Sequence, residues 1–304
     1  MKRLLFVYNP YSGSGKIVKR INKIVKIFHQ AGYDTELYPT KAASDGKEKI
    51  IRDGKNYDRV VVAGGDGTLN ELVNAIMQID KSIEVGYLPA GTVNDFAHTH
   101  RISKNPLKAA KVAVSENIKR VDVGDFNGKY FSYVAATGFG TKASYLTTQK
   151  VKRRWKFLAY VAFALKDLNK KALQRTCRKM KIIADGQVME GDFVFAAISN
   201  SFSIAGMKNL TDKNCVLDDG KLEGLFLPLP KKIKTWRLIL KAFFTRNYKV
   251  PGLMFMTAEK FDITCESCDW TLDGENGGSH EHIVVSAKPR VLNIALPPQK
   301  KKRK

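Results

Sequence analysis

Three times in the first third of the chain, a short apolar run ends in a turn built from small residues. Lys2–Tyr8 stops at Asn9-Pro10-Tyr11-Ser12-Gly13-Ser14-Gly15, Arg59–Ala63 at Gly64-Gly65-Asp66-Gly67, and Glu84–Leu88 at Pro89-Ala90-Gly91-Thr92. The first two are followed by apolar residues at helical spacing: Ile17, Ile21, Ile24, Val25 and Phe28, then Leu69, Leu72, Val73, Ile76 and Met77. Thr35–Tyr38 reads as a further short strand. Runs of this kind are buried on both faces, and alternation with helices makes them βαβ units of a parallel sheet. In such sheets ligands collect outside the carboxyl ends of the strands, so the three turns are expected to share one cleft.

The rhythm changes after Arg120. Val121–Phe126, Asn127-Gly128 and Lys129–Ala135 read as a hairpin, and so do Met180–Ala184, Asp185-Gly186 and Gln187–Glu190. Phe193–Ile198, Leu222–Leu227, Lys260–Thr264 and His282–Val285 are further strand candidates. Helical stretches interrupt them at about 152–171 and 231–244. The chain therefore divides into an α/β domain and a β-rich domain. The last apolar stretch, Val291–Leu296, fits either.

Charge decides what such a chain attracts. Lys and Arg number 52 against 29 Asp and Glu, a net charge of +23. That favours polyanions: nucleic acid, an anionic membrane face or phosphorylated small molecules. The excess is concentrated in 150–181, where Asp167 is the one acid, in 231–249, and in Lys300–Lys304. Apolar residues make up 44% of the chain, which excludes a disordered protein. The longest apolar run, Phe157–Leu165, is too short to span a bilayer. Met1-Lys2-Arg3 leads straight into a strand-like run, without the apolar core of a signal peptide. Four cysteines in a chain of this length point to a reducing compartment.

The turns carry the chemistry. Asn9–Lys16 has the composition of a phosphate cradle, but Pro10 and Ile17 stand where a Walker A loop needs Gly and Ser or Thr. By itself it fits a surface turn as well as a ligand loop. Gly64-Gly65-Asp66-Gly67-Thr68 is sharper: its glycines permit close backbone approach. A carboxylate among phosphates makes sense where Mg²⁺ or a proton must be held.

Taken in order, Asn9-Pro10-x-Ser12-Gly13, Gly64-Gly65-Asp66-Gly67-Thr68-Leu69-Asn70-Glu71, Pro89-x-Gly91-Thr92-x-Asn94-Asp95-Phe96-Ala97, Asp218-Asp219-Gly220-x-Leu222 and Leu272-Asp273-Gly274-Glu275 resemble the diacylglycerol kinase catalytic-domain family, and most closely its soluble bacterial lipid kinases. GGDGT alone also occurs in NAD kinases; the series of five is specific. The resemblance implies an α/β fold: a Rossmann-like nucleotide-binding domain with a parallel sheet, plus a second, β-sandwich domain, with the active site between them and the final strand rejoining the first domain. The expected boundaries are 1–125 with 290–304 for the ATP-binding domain, and 126–289 for the lipid-substrate domain with its basic helices.

By the same resemblance, ATP is held by Asn9, Pro10, Tyr11, Ser12 and Gly13, by Thr40, by Gly64, Gly65, Asp66, Gly67, Thr68, Asn70 and Glu71, and by Thr92. Asp273 and Glu275 match the family's catalytic acidic motif. Mg²⁺ is expected at Asp219, with the backbone carbonyls of Val216 and Lys221. The chain departs from the family where the glycine-rich stretch before that loop shrinks to Gly206-Met207.

Phosphorylating an alcohol needs a proton acceptor, a metal to bridge phosphates, and donors for the transferring group. Asp273 and Glu275, two residues apart, would face one side of an extended segment and supply the base, with Asp66 nearer metal and phosphates. Which of the pair takes the proton the sequence leaves open. Between Lys231 and Phe244, Ile233, Trp236, Leu240, Phe243 and Phe244 form an apolar stripe bordered by Lys232, Lys234, Arg237 and Lys241. Such a stripe suits a bilayer surface and equally suits packing on the β-domain. Cys265-x-x-Cys268 has metal-like spacing, but Cys177 and Cys215 make no second pair.

The reading is an ATP- and Mg²⁺-dependent lipid kinase converting diacylglycerol to phosphatidic acid. Its rivals are a kinase of another lipid alcohol such as a sphingoid base, an NAD kinase, and a basic nucleic-acid-binding module with an inactive nucleotide fold. The expected partners are ATP, a lipid alcohol, an anionic membrane surface and, optionally, a second copy in a homodimer; no nucleic acid is expected. The expected location is cytoplasmic, peripheral at the inner membrane face.

Overall fold

A computed structural model describes residues 1–138, 177–201, 203–204, 207–208, 218–229 and 252–298, with Thr235, Leu238, Ile239, Lys241, Ala242 and Thr245 between them. The described chain is a mixed α/β protein with extensive sheet. It forms two compact units, one of Met1–Val123 with Pro289–Lys304 and one of Gly124–Lys288.

In the first unit the order is β1 (Lys2–Tyr8), α1 (Ile21–Gln30), β2 (Tyr33–Pro39), α2 (Asp45–Asp53), β3 (Arg59–Gly64), α3 (Asp66–Ile76), β4 (Glu84–Pro89), α4 (Asp95–Thr99) and α5 (Pro106–Ala113). β5 (Ile118–Phe126) begins in this unit, and β15 (Glu275–Ala295) ends in it. Parallel pairings give the order β2-β1-β3-β4-β15. Every residue of β3 is buried, as the unbroken Val60-Val61-Val62 run requires. The final strand joins here through Ile294 opposite Val85.

Two local outcomes differ from the sequence expectation. No helix starts at Ile17: Ser12–Gly15 and Val18–Arg20 are 3-10 turns, and regular helix begins only at Ile21. Arg20, at φ −122° and ψ 8°, interrupts the helical path between Ile17 and Ile21. α5 was not anticipated, although Asn105 caps it by accepting from the amides of Leu107 and Lys108, with Pro106 in its first turn. At the other end of the strands, buried Arg59 donates to the carbonyls of Ala113 and Ser115, both at 3.0 Å, and pairs with Glu84.

The second unit contains β6 (Lys129–Phe131), β7 (Val134–Gly138), β8 (Arg178–Ala184), β9 (Gln187–Ser199), β10 (Ser203–Ile204), β11 (Met207–Lys208), β12 (Leu222–Pro228), β13 (Met254–Ala258) and β14 (Lys260–Leu272), together with the end of β5 and the start of β15. Its pairings are antiparallel. β9 and β14 each pair with β8 near their beginnings and with β7 near their ends, so four strands form a closed circuit rather than two separate sheets. Trp270, Phe126, Phe131, Phe193, Phe226 and Phe261 fill the core.

Three turns of one type shape this unit. Asn127-Gly128, Asp185-Gly186 and Asp273-Gly274 all hold both residues at positive φ, the signature of the two-residue hairpin turn that matches strand twist. Gln187–Glu190 and Phe193–Ile198, read from sequence as two segments, are one strand, β9. Conversely, the strand expected over Lys129–Ala135 breaks at Ser132-Tyr133, whose amides turn away to a carboxylate. The expected helix at about 152–171 lies outside the described residues, as does most of that at 231–244. Of the latter, Ile239 is buried against Val194 and Leu227.

Candidate functional site

The turns at the carboxyl ends of β1, β3 and β4 converge in the first unit. Asn9 donates its amide to Ala63 O at 3.0 Å, and its side-chain oxygen accepts from the Tyr11 amide at 2.9 Å. Thr40, one residue past β2, donates its amide to Tyr8 O at 2.9 Å. Gly64 O accepts from the amides of Ala90 and Gly91 at 2.7 and 3.2 Å. Gly91 lies so close to the second turn that a Cβ there would stand 2.4 Å from Gly65 Cα. Likewise, a Cβ on Gly13 would stand 2.6 Å from Ala90 O. These glycines are therefore needed for backbone-to-backbone contact between turns.

α3 springs from this cluster. Its N-cap, Gly65, has no side chain to satisfy the first amides of the helix, and Gly65–Thr68 are only half-buried. An accessible helix start flanked by glycine turns can hold an anion: its first N–H groups and the positive helix end point the same way. Asp66 sits in the first turn of α3, where one carboxylate oxygen accepts from the Asn94 amide at 2.7 Å. Glu71, one helical turn on, accepts from the Ser44 amide at 2.9 Å and so ties α3 to the start of α2. Asn70 stands beside it on the half-buried face. Tyr8, Asn9, Pro10, Ser12 and Thr40 are half-buried, while Tyr11 and Thr92 are exposed.

The sequence places Asn94 in a motif without giving it a site role. This residue is buried at φ 56°, donates its side-chain amide to Gly91 O at 2.8 Å, and accepts from Tyr87 Oη at 3.3 Å. With its backbone amide on Asp66, it locks the second turn to the third. Burial and the nearby Asp66 charge push the Tyr87 phenol well above its ordinary range, so it remains a donor.

In the second unit, the acidic pair does not lie in an extended segment. Asp273 and Gly274 form the left-handed turn between β14 and β15, with Leu272 opposite Glu275. Asp273 is buried and accepts four hydrogen bonds: Ser132 N at 2.6 Å and Ser132 Oγ at 2.9 Å on one oxygen, Tyr133 N and Val134 N at 3.0 Å each on the other. Glu275 is exposed. Asp219 and Lys221 are also exposed, and Asp219 Oδ1 accepts from the Lys221 amide at 3.0 Å; Val216 lies outside the described residues. Among the described residues, no three His, Cys, Asp or Glu side chains gather as a ready metal cluster.

Comparison with known proteins gives these elements a class. Residues 3–126 match the family model described as the diacylglycerol kinase catalytic domain. The diacylglycerol kinase of Staphylococcus carnosus (strain TM300) is 30% identical over 305 residues, covering 97% of this chain and 98% of the relative. That of Bacillus subtilis (strain 168) is 29% identical, covering 99% and 98%. The crystal structure of a diacylglycerol kinase from Bacillus anthracis str. Sterne superposes with a TM-score of 0.75 over 98% of this chain and 97% of that chain, at 22% identity. A second chain from the same strain reaches 0.82, covering 98% and 96%, also at 22% identity; both show the fold. The chain belongs to the diacylglycerol kinase family of lipid-phosphorylating enzymes.

Proposed function

We propose that the protein transfers the γ-phosphoryl group of ATP to the free hydroxyl of diacylglycerol, giving phosphatidic acid, with Mg²⁺ required. The observation that carries this is the convergence of the Asn9, Thr40, Gly64–Glu71 and Thr92 segments around the uncapped start of α3. In this reading the first unit is Rossmann-like and holds ATP, and the second carries the lipid-side groups. The backbone amides of Gly65–Thr68 grip the triphosphate. Asp66, fixed by Asn94, would help hold Mg²⁺ beside the phosphates.

The second unit supplies the proton acceptor, and its hydrogen bonds favour Glu275. A carboxylate has about four acceptor positions, and Asp273 commits four to Ser132, Tyr133 and Val134. Nothing is then left to accept a substrate proton. Exposed Glu275, held rigidly one residue past that anchored turn, keeps its lone pairs for substrate. Asp273 thus acts as a positioning residue.

Asp219, with the carbonyls of Val216 and Lys221 that the resemblance implies, would supply the hard oxygen donors that suit Mg²⁺. Bound there, the ion would supply positive charge beside Asp219. The basic segments would hold the enzyme at an anionic inner membrane face from the cytoplasmic side. No helix among the described residues is long and apolar enough to cross a membrane.

The test is incubation with labelled ATP, Mg²⁺ and a panel of lipid alcohols in mixed micelles. Labelled phosphatidic acid formed only with diacylglycerol is the expected result. Label on a sphingoid base alone would move the assignment to another lipid kinase, and ATP turnover indifferent to lipid would overturn it.

A further inference from the structure

β14 contains a bulge that the kinase reading does not use. Thr264 pairs with His282 and Cys268 with His280, so Cys265, Glu266 and Ser267 stand opposite the single residue Glu281. The two extra residues on β14 draw Cys265 and Cys268 together: their Sγ atoms are 3.4 Å apart, and both side chains are buried. The bulge is also where β14 changes partner. Cys265 is its last residue paired with β8, and Trp270 is among the first paired with β7.

The surroundings favour a thiolate on one of the two sulfurs. The sulfur–sulfur contact with Cys265 lowers the Cys268 thiol most, and the Arg178 charge acts in the same direction, against the effect of burial. Cys268 is thereby held below the ordinary thiol range, while the same contact and burial push Cys265 up. A low thiol beside a protonated partner is the arrangement of an attacking and a resolving cysteine. Zinc fits less well: two sulfurs fill half a tetrahedral shell, and no third ligand joins them among the described residues.

We propose that Cys265 and Cys268 are an oxidation site for hydroperoxides, closing to an intramolecular disulfide across the β14 bulge. The Cys268 thiolate attacks one peroxide oxygen, the O–O bond breaks, and hydroxide leaves to become water with the proton Cys268 had released. Cys268 is then a sulfenic acid. The Cys265 sulfur bonds to it, the Cys265 proton joins the departing hydroxyl, and a second water leaves. Two thiols and one peroxide give one disulfide and two waters; the sulfurs lose the two electrons the peroxide gains. Burial limits the reaction to small oxidants, and the sulfurs need to close by little more than an ångström to reach the bond length of about 2.05 Å.

The full-length chain, treated briefly with hydrogen peroxide, denatured in iodoacetamide and digested with trypsin, provides the test, since residues 261–290 carry both cysteines on one peptide. The expected product is that peptide lighter by two hydrogens and unalkylated, restored to double alkylation by dithiothreitol. In Cys265→Ser the sulfenic acid on Cys268 should persist long enough for capture by dimedone. In Cys268→Ser, oxidation of Cys265 should slow by at least about tenfold. Double alkylation after peroxide, Cys268 ending as sulfinic acid in the unsubstituted chain, or a bond to Cys177 or Cys215 would each overturn the proposal.

Discussion

Asp273→Asn separates an anchor from a base. The amide keeps the size of the side chain but leaves one oxygen where the carboxylate has two. Its best orientation keeps that oxygen on the amides of Tyr133 and Val134 and turns the NH₂ toward Ser132. Ser132 Oγ can rotate to accept from it, but the Ser132 amide, 2.6 Å from the lost oxygen, meets a donor and is left unsatisfied. A buried unpaired N–H costs about 1–3 kcal/mol, and replacing charge-assisted bonds by neutral ones costs about 1 kcal/mol for the remaining pair. The sum, about 2–4 kcal/mol, is a large share of a typical folding stability of about 5–15 kcal/mol. Glu275→Gln, at an exposed position, should change stability by no more than about 0.5 kcal/mol. It should lower turnover by about 10²–10⁴-fold, the worth of a general base. Urea unfolding gives the stabilities, hydrogen exchange at the amides of residues 132–134 localises the loss, and the labelled-ATP assay gives turnover. If Asp273→Asn leaves the unfolding midpoint and those amides unchanged while abolishing turnover, Asp273 is the base and the argument fails.

Two further outcomes follow from contacts in the first unit. Gly91→Ala should raise the KM for ATP by at least about tenfold, because its methyl would stand 2.4 Å from Gly65 Cα and 2.7 Å from Asn94 Oδ1, forcing the second and third turns apart; an unchanged KM would show that their contact is not needed for nucleotide. His100 packs on Phe96 with ring centroids 4.3 Å apart, and burial lowers its pKa to about 4. The unfolded chain, with a histidine pKa near 6.5, therefore binds more protons between these values, and stability falls as pH drops from about 6.5 toward about 4. The drop attributable to His100 is at most about 3 kcal/mol, less what partial solvent access returns. Denaturant melts of the native chain and of His100→Gln across that range should diverge by this amount, and parallel curves would remove His100 as the cause.

What could be read in advance was whatever a short window encodes. The Val-rich run of β3 announced a buried strand, the Asn-Gly and Asp-Gly dipeptides announced hairpin turns, and turns placed after parallel strands had to gather at one end of the sheet. The five motifs named the family. Each of these rests on local backbone preference, on apolar period or on spacing along the chain, which sequence carries directly.

Tertiary structure alone assigned the partners of buried polar groups. Nothing near Ser132 indicates that its amide and hydroxyl serve a carboxylate 141 positions later, so the break between β6 and β7 could not be foreseen. Nor could the contrast between Asp273, with its lone pairs consumed, and its exposed neighbour Glu275. The same holds for Asn94 joining two turns, for Arg59 reaching the end of α5, and for two cysteines brought within 3.4 Å by a bulge. Removing a polar group from water is costly unless a partner waits, and only the folded chain decides which groups meet.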